Sequence, residues 1–280
     1  MSGVVTIAGY ALRESTRRRV FVVVLILTLA FLGLYAVGTE AAFDTIDTGT
    51  EVDDEVLTGS TLFGLAMFTT LFLGCVLAVF LTLGAVRGDA ERGLLQPLVV
   101  RPVGRTELLA GRFAAAAGVC GGYVAAVYTA AMLITAAAGG WWPDHVVSPG
   151  LGLVAGVIVI AGLGLLGSIF LSATANGIAV FMAFGAGLAA GLLGQIGDVL
   201  GVETLEDVAT VASWLLPFEA LYQAGLNSLT EDVRGTTGVI VRLGPFGGAQ
   251  EGGPLLWLWS AAYLVLLGLG ARVAFARRDL

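Results

Sequence analysis

The chain contains no lysine and little charge of any kind. Fourteen arginines and twenty-one acids make up 12% of its 280 residues, about half the share carried by an ordinary soluble domain. The scarcity is sharpest over Val146–Gly197, 52 residues without one Asp, Glu, Lys or Arg. At about 1.5 Å per helical residue that run extends roughly 78 Å, more than twice a bilayer's hydrocarbon thickness of about 30 Å. It has to cross a membrane twice, so the solvent of this chain is mostly lipid.

Other absences narrow the chemistry. There are two cysteines, Cys75 and Cys120. Both fall inside apolar runs and read as small core residues, not as a disulfide or a metal pair. The single histidine, His145, sits in the short loop Trp141–His145 beside interfacial tryptophans and reads as a surface residue. The apolar runs hold no ionisable side chain through their middles, whereas proton-coupled carriers need an intramembrane Asp, Glu or His. Ion channels often place charged rings in the pore, and none is present. No serine–histidine or histidine–glutamate constellation lies within the bilayer, and no ligand spacing supports a metal. No catalytic residue is assigned. Energy for transport against a gradient has to enter from outside the spans.

What is present is 57% hydrophobic residues, gathered into runs of spanning length. They cover about 20–38, 60–86, 113–142, 150–171, 177–197 and 252–271, with a polar break at Ser172–Asn176 dividing the charge-free stretch. Alternating strands are absent, so the spans are helices. The expected fold class is an all-α integral membrane protein with six transmembrane helices, one transmembrane domain over residues 1–280. A cleaved signal peptide is the alternative for the first run. Arg17, Arg18 and Arg19 suit it, but secretory cores have about 7–15 apolar residues and this run is longer.

Val208–Thr230 is apolar enough for a seventh span, yet Pro217 and Glu219 sit at its centre. Proline deletes a backbone hydrogen bond, and a central carboxylate costs about 3 kcal/mol on insertion scales. The arginines decide the matter. With six spans and both termini inside, twelve arginines and five acids face the cytoplasm (+7), while two arginines and sixteen acids face outward (−14). A seventh span would export Arg272, Arg277 and Arg278, against the positive-inside rule. Pro217, Phe218 and Glu219 are therefore expected in a re-entrant or interfacial segment between spans five and six.

Glycine is abundant, at 41 residues. Spacings of four recur at Gly84/Gly88, Gly118/Gly122, Gly152/Gly156 and Gly187/Gly191. Small residues so spaced let membrane helices approach closely. Either mobile helix contacts or ordinary tight packing would use them.

The sizeable inner loop joins spans two and three, from Arg87 to Arg112. Leu94, Leu95, Leu98 and Val99 fall on one face of a short helix, with Pro97 in its first turns and Pro102 ending it. Asp89, Glu91, Arg92, Arg101 and Arg105 ring that face. Thr106 is expected to cap the third span's helix. Such an amphipathic helix docks a soluble partner or rests on lipid headgroups, and the residues alone leave both open.

This loop resembles that of ABC-2-type transporter permeases, in which a Glu-x-Gly pair leads to an apolar stretch, a proline and an arginine-bearing tail. The matching residues are Glu91 and Gly93, Leu94 and Leu95, Pro97, Arg101–Val103, Arg105, Leu108, Leu109 and Gly111, with Arg112 replacing the family's usual lysine. Ala11–Arg19 is similar to the family's amphipathic elbow helix, whose apolar side would be Val4, Ile7, Ala8, Ala11 and Leu12. Leu215–Tyr222 is similar to its re-entrant hairpin, and Phe275–Leu280 to its terminus. The resemblance implies a permease subunit, not an enzyme, working as a dimer with a second copy or a paralogue. ATP and magnesium are expected on a separate nucleotide-binding subunit, since this chain has no G-x-x-x-x-G-K-[ST] phosphate loop. The resemblance assigns Asp89, Glu91, Arg92, Gly93, Leu94, Leu95, Pro97, Leu98, Arg101 and Arg105 to coupling with that ATPase. It also implies the cell membrane as location. Membrane lipid is an expected partner and nucleic acid is not.

The outer side is acidic, with six acids within Phe43–Glu55 and four more within Asp198–Asp207. Cation handling, a partner surface or plain solvation would each account for them. The expected cargo is an amphipathic or hydrophobic small molecule or lipid, which suits uncharged spans. The competing readings are a membrane scaffold or assembly factor of the same topology, and a lipid-acting membrane enzyme.

Overall fold

The computed structural model describes residues 9, 19–45, 53–83, 104–233, 237, 240–241 and 252–277. The coupling loop up to Arg101 and the elbow residues Val4, Ile7, Ala8, Ala11 and Leu12 lie outside them. The described chain is helical, with no strand among the described residues. Among the described residues six helices are long and apolar enough to span a membrane: α1 (Arg19–Asp44), α2 (Asp54–Thr82), α3 (Arg105–Gly139), α4 (Val147–Phe170), α5 (Ala173–Leu200) and α8 (Pro254–Ala276). Between α5 and α8 stand two short helices, α6 (Glu203–Leu215) and α7 (Pro217–Asn227). Alternation of the six long helices gives the bundle two ends. One, called here the basic end, carries the start of α1, the end of α2, the start of α3, the α4–α5 junction and the end of α8. The opposite, acidic end carries α6 and α7.

Helix termini follow local chemistry. Asp53 caps α2, its Oδ1 accepting from Val56 N at 3.2 Å, with Asp54 and Glu55 in the first turn where the dipole favours acids. Gly140 and Gly201 close α3 and α5 at φ of +72° and +64°, a left-handed conformation that a Cβ would strain. Thr106 does not cap α3. Gly104 holds that position without a side-chain bond, and Thr106 lies within the first turn. The helix starts earlier than the apolar run because Arg105 and Thr106 are ordinary helix residues once Gly104 is extended.

The junction between α4 and α5 is only Leu171–Ser172. Ser172 caps α5, and the buried Asn176 donates from Nδ2 to the Gly164 carbonyl at 2.9 Å. That bond folds α5 back on α4. It also requires Gly167, because a Cβ there would collide with Asn176 Oδ1.

The centre of the bundle is α2, α3 and α4. Two-thirds of the apolar window of α2 is buried, against 11% for α8. A Cβ on Gly74 would stand 2.8 Å from both Val124 Cγ2 and Val157 Cγ2, so the three helices meet at nearly backbone distance. Phe63 is fully buried, 5.3 Å from the Tyr128 ring and 6.2 Å from Trp141. Cys75 and Cys120 are both buried in this same cluster. The outlying α1 is tied to α3 by the Tyr35 and Thr135 hydroxyls, 2.6 Å apart.

Because core and lipid are both apolar, packing outweighs single polar contacts here. Phe63→Ala is expected to cost about 3–5 kcal/mol, and Tyr35→Phe about 0.6 kcal/mol. Thermal midpoints of the purified protein in detergent check the order, which should be unmistakable.

Candidate functional site

The candidate site is the pair α6–α7 and the helices that hold it. Pro217 is the first residue of α7, where its fixed φ is already helical and its missing N–H is not needed. The same proline ends α6 by offering no N–H to Ser213. Glu219 N turns to the Leu216 carbonyl at 3.1 Å, so it does not serve Leu215 either. Carbonyls at the end of α6 are thus left for other donors, which inside a membrane must come from protein. Two side chains one turn apart on α8 supply them. Trp259 Nε1 donates to the Trp214 carbonyl at 3.0 Å, and the Tyr263 hydroxyl donates to the Leu215 carbonyl at 2.8 Å. The Trp214 and Trp259 rings meet edge-on at 5.2 Å.

The two short helices differ in burial. On α6 only Ala209 is buried, while α7 is buried along almost its whole length. Two glycine pairs make room for α7. On α4, a Cβ at Gly152 would lie 2.8 Å from the Leu221 carbonyl oxygen, and one at Gly156 would lie 3.3 Å from the Phe218 oxygen. On α5, a Cβ at Gly187 would press into the Phe218 ring at 2.6 Å, and one at Gly191 would overlap the Glu219 carboxylate. Phe218 also stacks on Phe184 of α5 at 5.7 Å. The hairpin arm α7 is therefore wedged between the acidic-end portions of α4 and α5.

Glu219 is 2% exposed. Gln223, one turn on, hydrogen-bonds its carboxylate, and Gln195 Nε2 of α5 donates to Gln223 Oε1 at 3.0 Å. Glu219 Oε1 has no hydrogen-bond partner among the described residues. The result is a buried polar file, Gln195–Gln223–Glu219, ending in one unsatisfied oxygen beside Gly191. Such a group invites a water, a proton or a polar ligand atom. Among the described residues no group of three His, Cys, Asp or Glu could hold a metal. On the acidic end, His145 Nε2 lies 3.4 Å from Glu231 Oε2, with both side chains about half exposed. Asp144 Oδ2 accepts from Asp232 N at 3.0 Å, joining the α3–α4 loop to the segment after α7.

A family model described as ABC-2 family transporter protein matches residues 5–280. The chain belongs to the ABC-2 family of transporter proteins. A comparison with curated proteins returned no match. Its six apolar helices accord with a membrane-embedded ABC-2 permease, a transport component of an ABC transporter.

Of the residues that the sequence assigned to the permease's working parts, Pro217, Phe218 and Glu219 form the first turn of α7 and come together against α4 and α5. Arg105 opens α3 at the basic end. Asp89, Glu91, Arg92, Gly93, Leu94, Leu95, Pro97, Leu98 and Arg101 lie outside the described residues. Sequence reasoning did not single out Gln195, Gln223, Trp259 or Tyr263. Gln195 is a rare polar side chain in the charge-free run, and Trp259 and Tyr263 are hydrogen-bond donors spaced i, i+4 near a span's end. Those were the available signals.

The glycine pairs are not equivalent, and substitution separates them. Nothing lies within 4 Å of a Cβ on Gly118 or Gly122. Gly187→Leu is expected to lower stability by about 1–3 kcal/mol through overpacking against Phe218, whereas Gly118→Leu should stay within about 0.5 kcal/mol of the parent. Thermal midpoints in one detergent would show the split.

Proposed function

We propose that this chain is the permease subunit of an ABC exporter, driven by ATP hydrolysis on a separate nucleotide-binding subunit. Membership in the ABC-2 family along residues 5–280 carries the reading. Spans without ionisable centres suit an amphipathic or hydrophobic small molecule or lipid as cargo. The functional unit is two permeases, identical or paralogous, with two ATPases, and ATP and magnesium bind on the ATPases. The basic end faces the cytoplasm of a cell membrane, with both termini inside, in keeping with twelve of the fourteen arginines.

In this arrangement residues 89–105 form the coupling element. Glu91, Arg92, Arg101 and Arg105 pair with charges of the ATPase, with Asp89 beside them. Leu94, Leu95 and Leu98 fill its groove, while Gly93 and Pro97 shape the approach. The loop runs directly into α3, so a push on it tilts α3 against its close neighbours α2 and α4. The wedge of α7 between glycine faces transmits that tilt to the outer side, where α6–α7 is re-entrant. Motion is then a rocking of packed bodies between inward- and outward-facing states.

The test is affinity purification of the full chain in mild detergent with ATP hydrolysis assayed in the eluate. A co-eluting ATPase is expected, with its stimulation reduced at least about tenfold in the Glu91→Ala, Arg101→Ala double variant, the scale set by losing two charge-assisted contacts. Unchanged hydrolysis in that variant, or a clean inactive single species from membranes that keep other complexes intact, would overturn the reading.

A further inference from the structure

A groove of about 330 Å³ runs along the basic-end half of the bundle between α3, α4 and α8, within the roughly 300–1,000 Å³ range of small-ligand sites. Its walls are apolar, with Phe113, Gly162 and Leu264 among them. Its polar side chains, Thr106 and Arg272, come from the first turn of α3 and the last two turns of α8. Both are exposed. The groove is thus a long apolar trough with a hydroxyl and a guanidinium at one end. The acidic Glu107, though next to Thr106 in sequence, is not among the lining residues.

Two glycines make the trough. A Cβ on Gly162 would touch Leu267 Cδ1 at 3.1 Å, so this glycine lets α8 lie close to α4 at the floor. Gly268 has nothing within 4 Å of its Cβ position, so the space in front of it is open. From Leu264 to Arg272 the groove follows α8 for about 12 Å, at 1.5 Å per residue. Arg272 lies four residues before the end of α8 at Ala276, about 6 Å below the helix end, where a long basic side chain reaches the headgroup layer. Trough and guanidinium together have the pattern of a lipid: a chain in the groove and a phosphate at the arginine, which binds phosphate oxygens in a fork.

We propose that this groove is a binding site for an anionic phospholipid, one acyl chain lying along Gly162 and Gly268 and the phosphate held by Arg272 and the Thr106 hydroxyl. Charge complementarity selects the anionic lipid over a zwitterionic one, because the basic end carries twelve of the chain's fourteen arginines. The lipid lies beside the seam where α8, the least buried of the spanning helices, packs on α3 and α4 through Ala271 and Phe275, and adds contact along that seam. The assignment to the cytoplasmic leaflet rests on the orientation given under Proposed function. The site itself does not.

The experiment is native mass spectrometry of the full chain released from nanodiscs of equal parts phosphatidylglycerol and phosphatidylcholine. Neither ATPase coupling nor orientation enters the readout, so it succeeds or fails independently of the transport reading. Wild type is expected to retain phosphatidylglycerol over phosphatidylcholine by about tenfold, the size of one charge-assisted contact. Arg272→Gln should bring that ratio to about one while lipid is still retained, since one charge-assisted contact separates the two headgroups. Gly268→Leu, which fills open space, should remove the retained lipid of both kinds, and Gly118→Leu on the open face of α3 should change nothing. Equal retention of the two lipids by wild type, a preference that survives Arg272→Gln, or full retention in Gly268→Leu would each overturn the proposal. So would a second copy of the chain occupying the groove in place of lipid.

Discussion

The carbonyl oxygen of Leu221 lies 2.8 Å from the point where a Cβ on Gly152 would stand, and the Phe218 oxygen is nearly as close to Gly156. In lipid there is no hydrophobic force to press helices together, because the tails outside are as apolar as the side chains inside. Contact area has to come from backbones approaching each other, and that requires residues without a Cβ. The seating of α7 uses this contact, its counterpart at Gly187 and Gly191, and the stacking of Phe218 on Phe184. A helix with a carboxylate in its first turn and a glutamine in its middle is thereby kept among the spans and out of the lipid.

A second requirement follows from the first. Breaking the chain at Pro217 lets α7 enter the bundle, but it leaves carbonyls at the end of α6 without their helical donors. Trp259 and Tyr263 replace them from α8, so the least buried spanning helix is attached to the hairpin by hydrogen bonds. At the other end Ala271 and Phe275 of the same helix are buried against Leu108 and Leu109 of α3 and Leu165 and Ile169 of α4, and an apolar groove runs beside that seam. The helix α8 is therefore joined to the bundle by a polar clasp toward the acidic end and by a small buried apolar cluster at the basic end.

Much of the architecture was legible because charge is so costly in a bilayer. The 52-residue gap before Asp198 required two crossings, and the break fell at Leu171–Ser172, at the start of the expected polar stretch Ser172–Asn176. Pro217 and Glu219 correctly argued against a seventh straight span. What the sequence concealed was partnership. Gly118/Gly122 and Gly152/Gly156 are the same motif, yet the first faces open space and the second faces the backbone of α7. Spacing reports which residues share a helix face and says nothing about what lies opposite. For the same reason Gln195, Gln223, Trp259 and Tyr263 went unnoticed, since each acts on a residue of another helix. Thr106 failed as a cap because Gly104, two residues earlier, adopts the extended conformation that a cap needs.

The seating of α7 against α4 is open to one direct measurement. The Cβ position at Gly156 lies 3.6 Å from Phe218 Cβ, inside the roughly 3.5–4.5 Å window of a disulfide. A Gly156→Cys, Phe218→Cys variant, made in a background with Cys75 and Cys120 replaced by alanine, should cross-link nearly completely on mild oxidation in native membranes. Proteolysis between α5 and α7 would then leave the fragments joined until reduction. Fragments that separate without reductant, from a protein that is folded and inserted, would contradict the account.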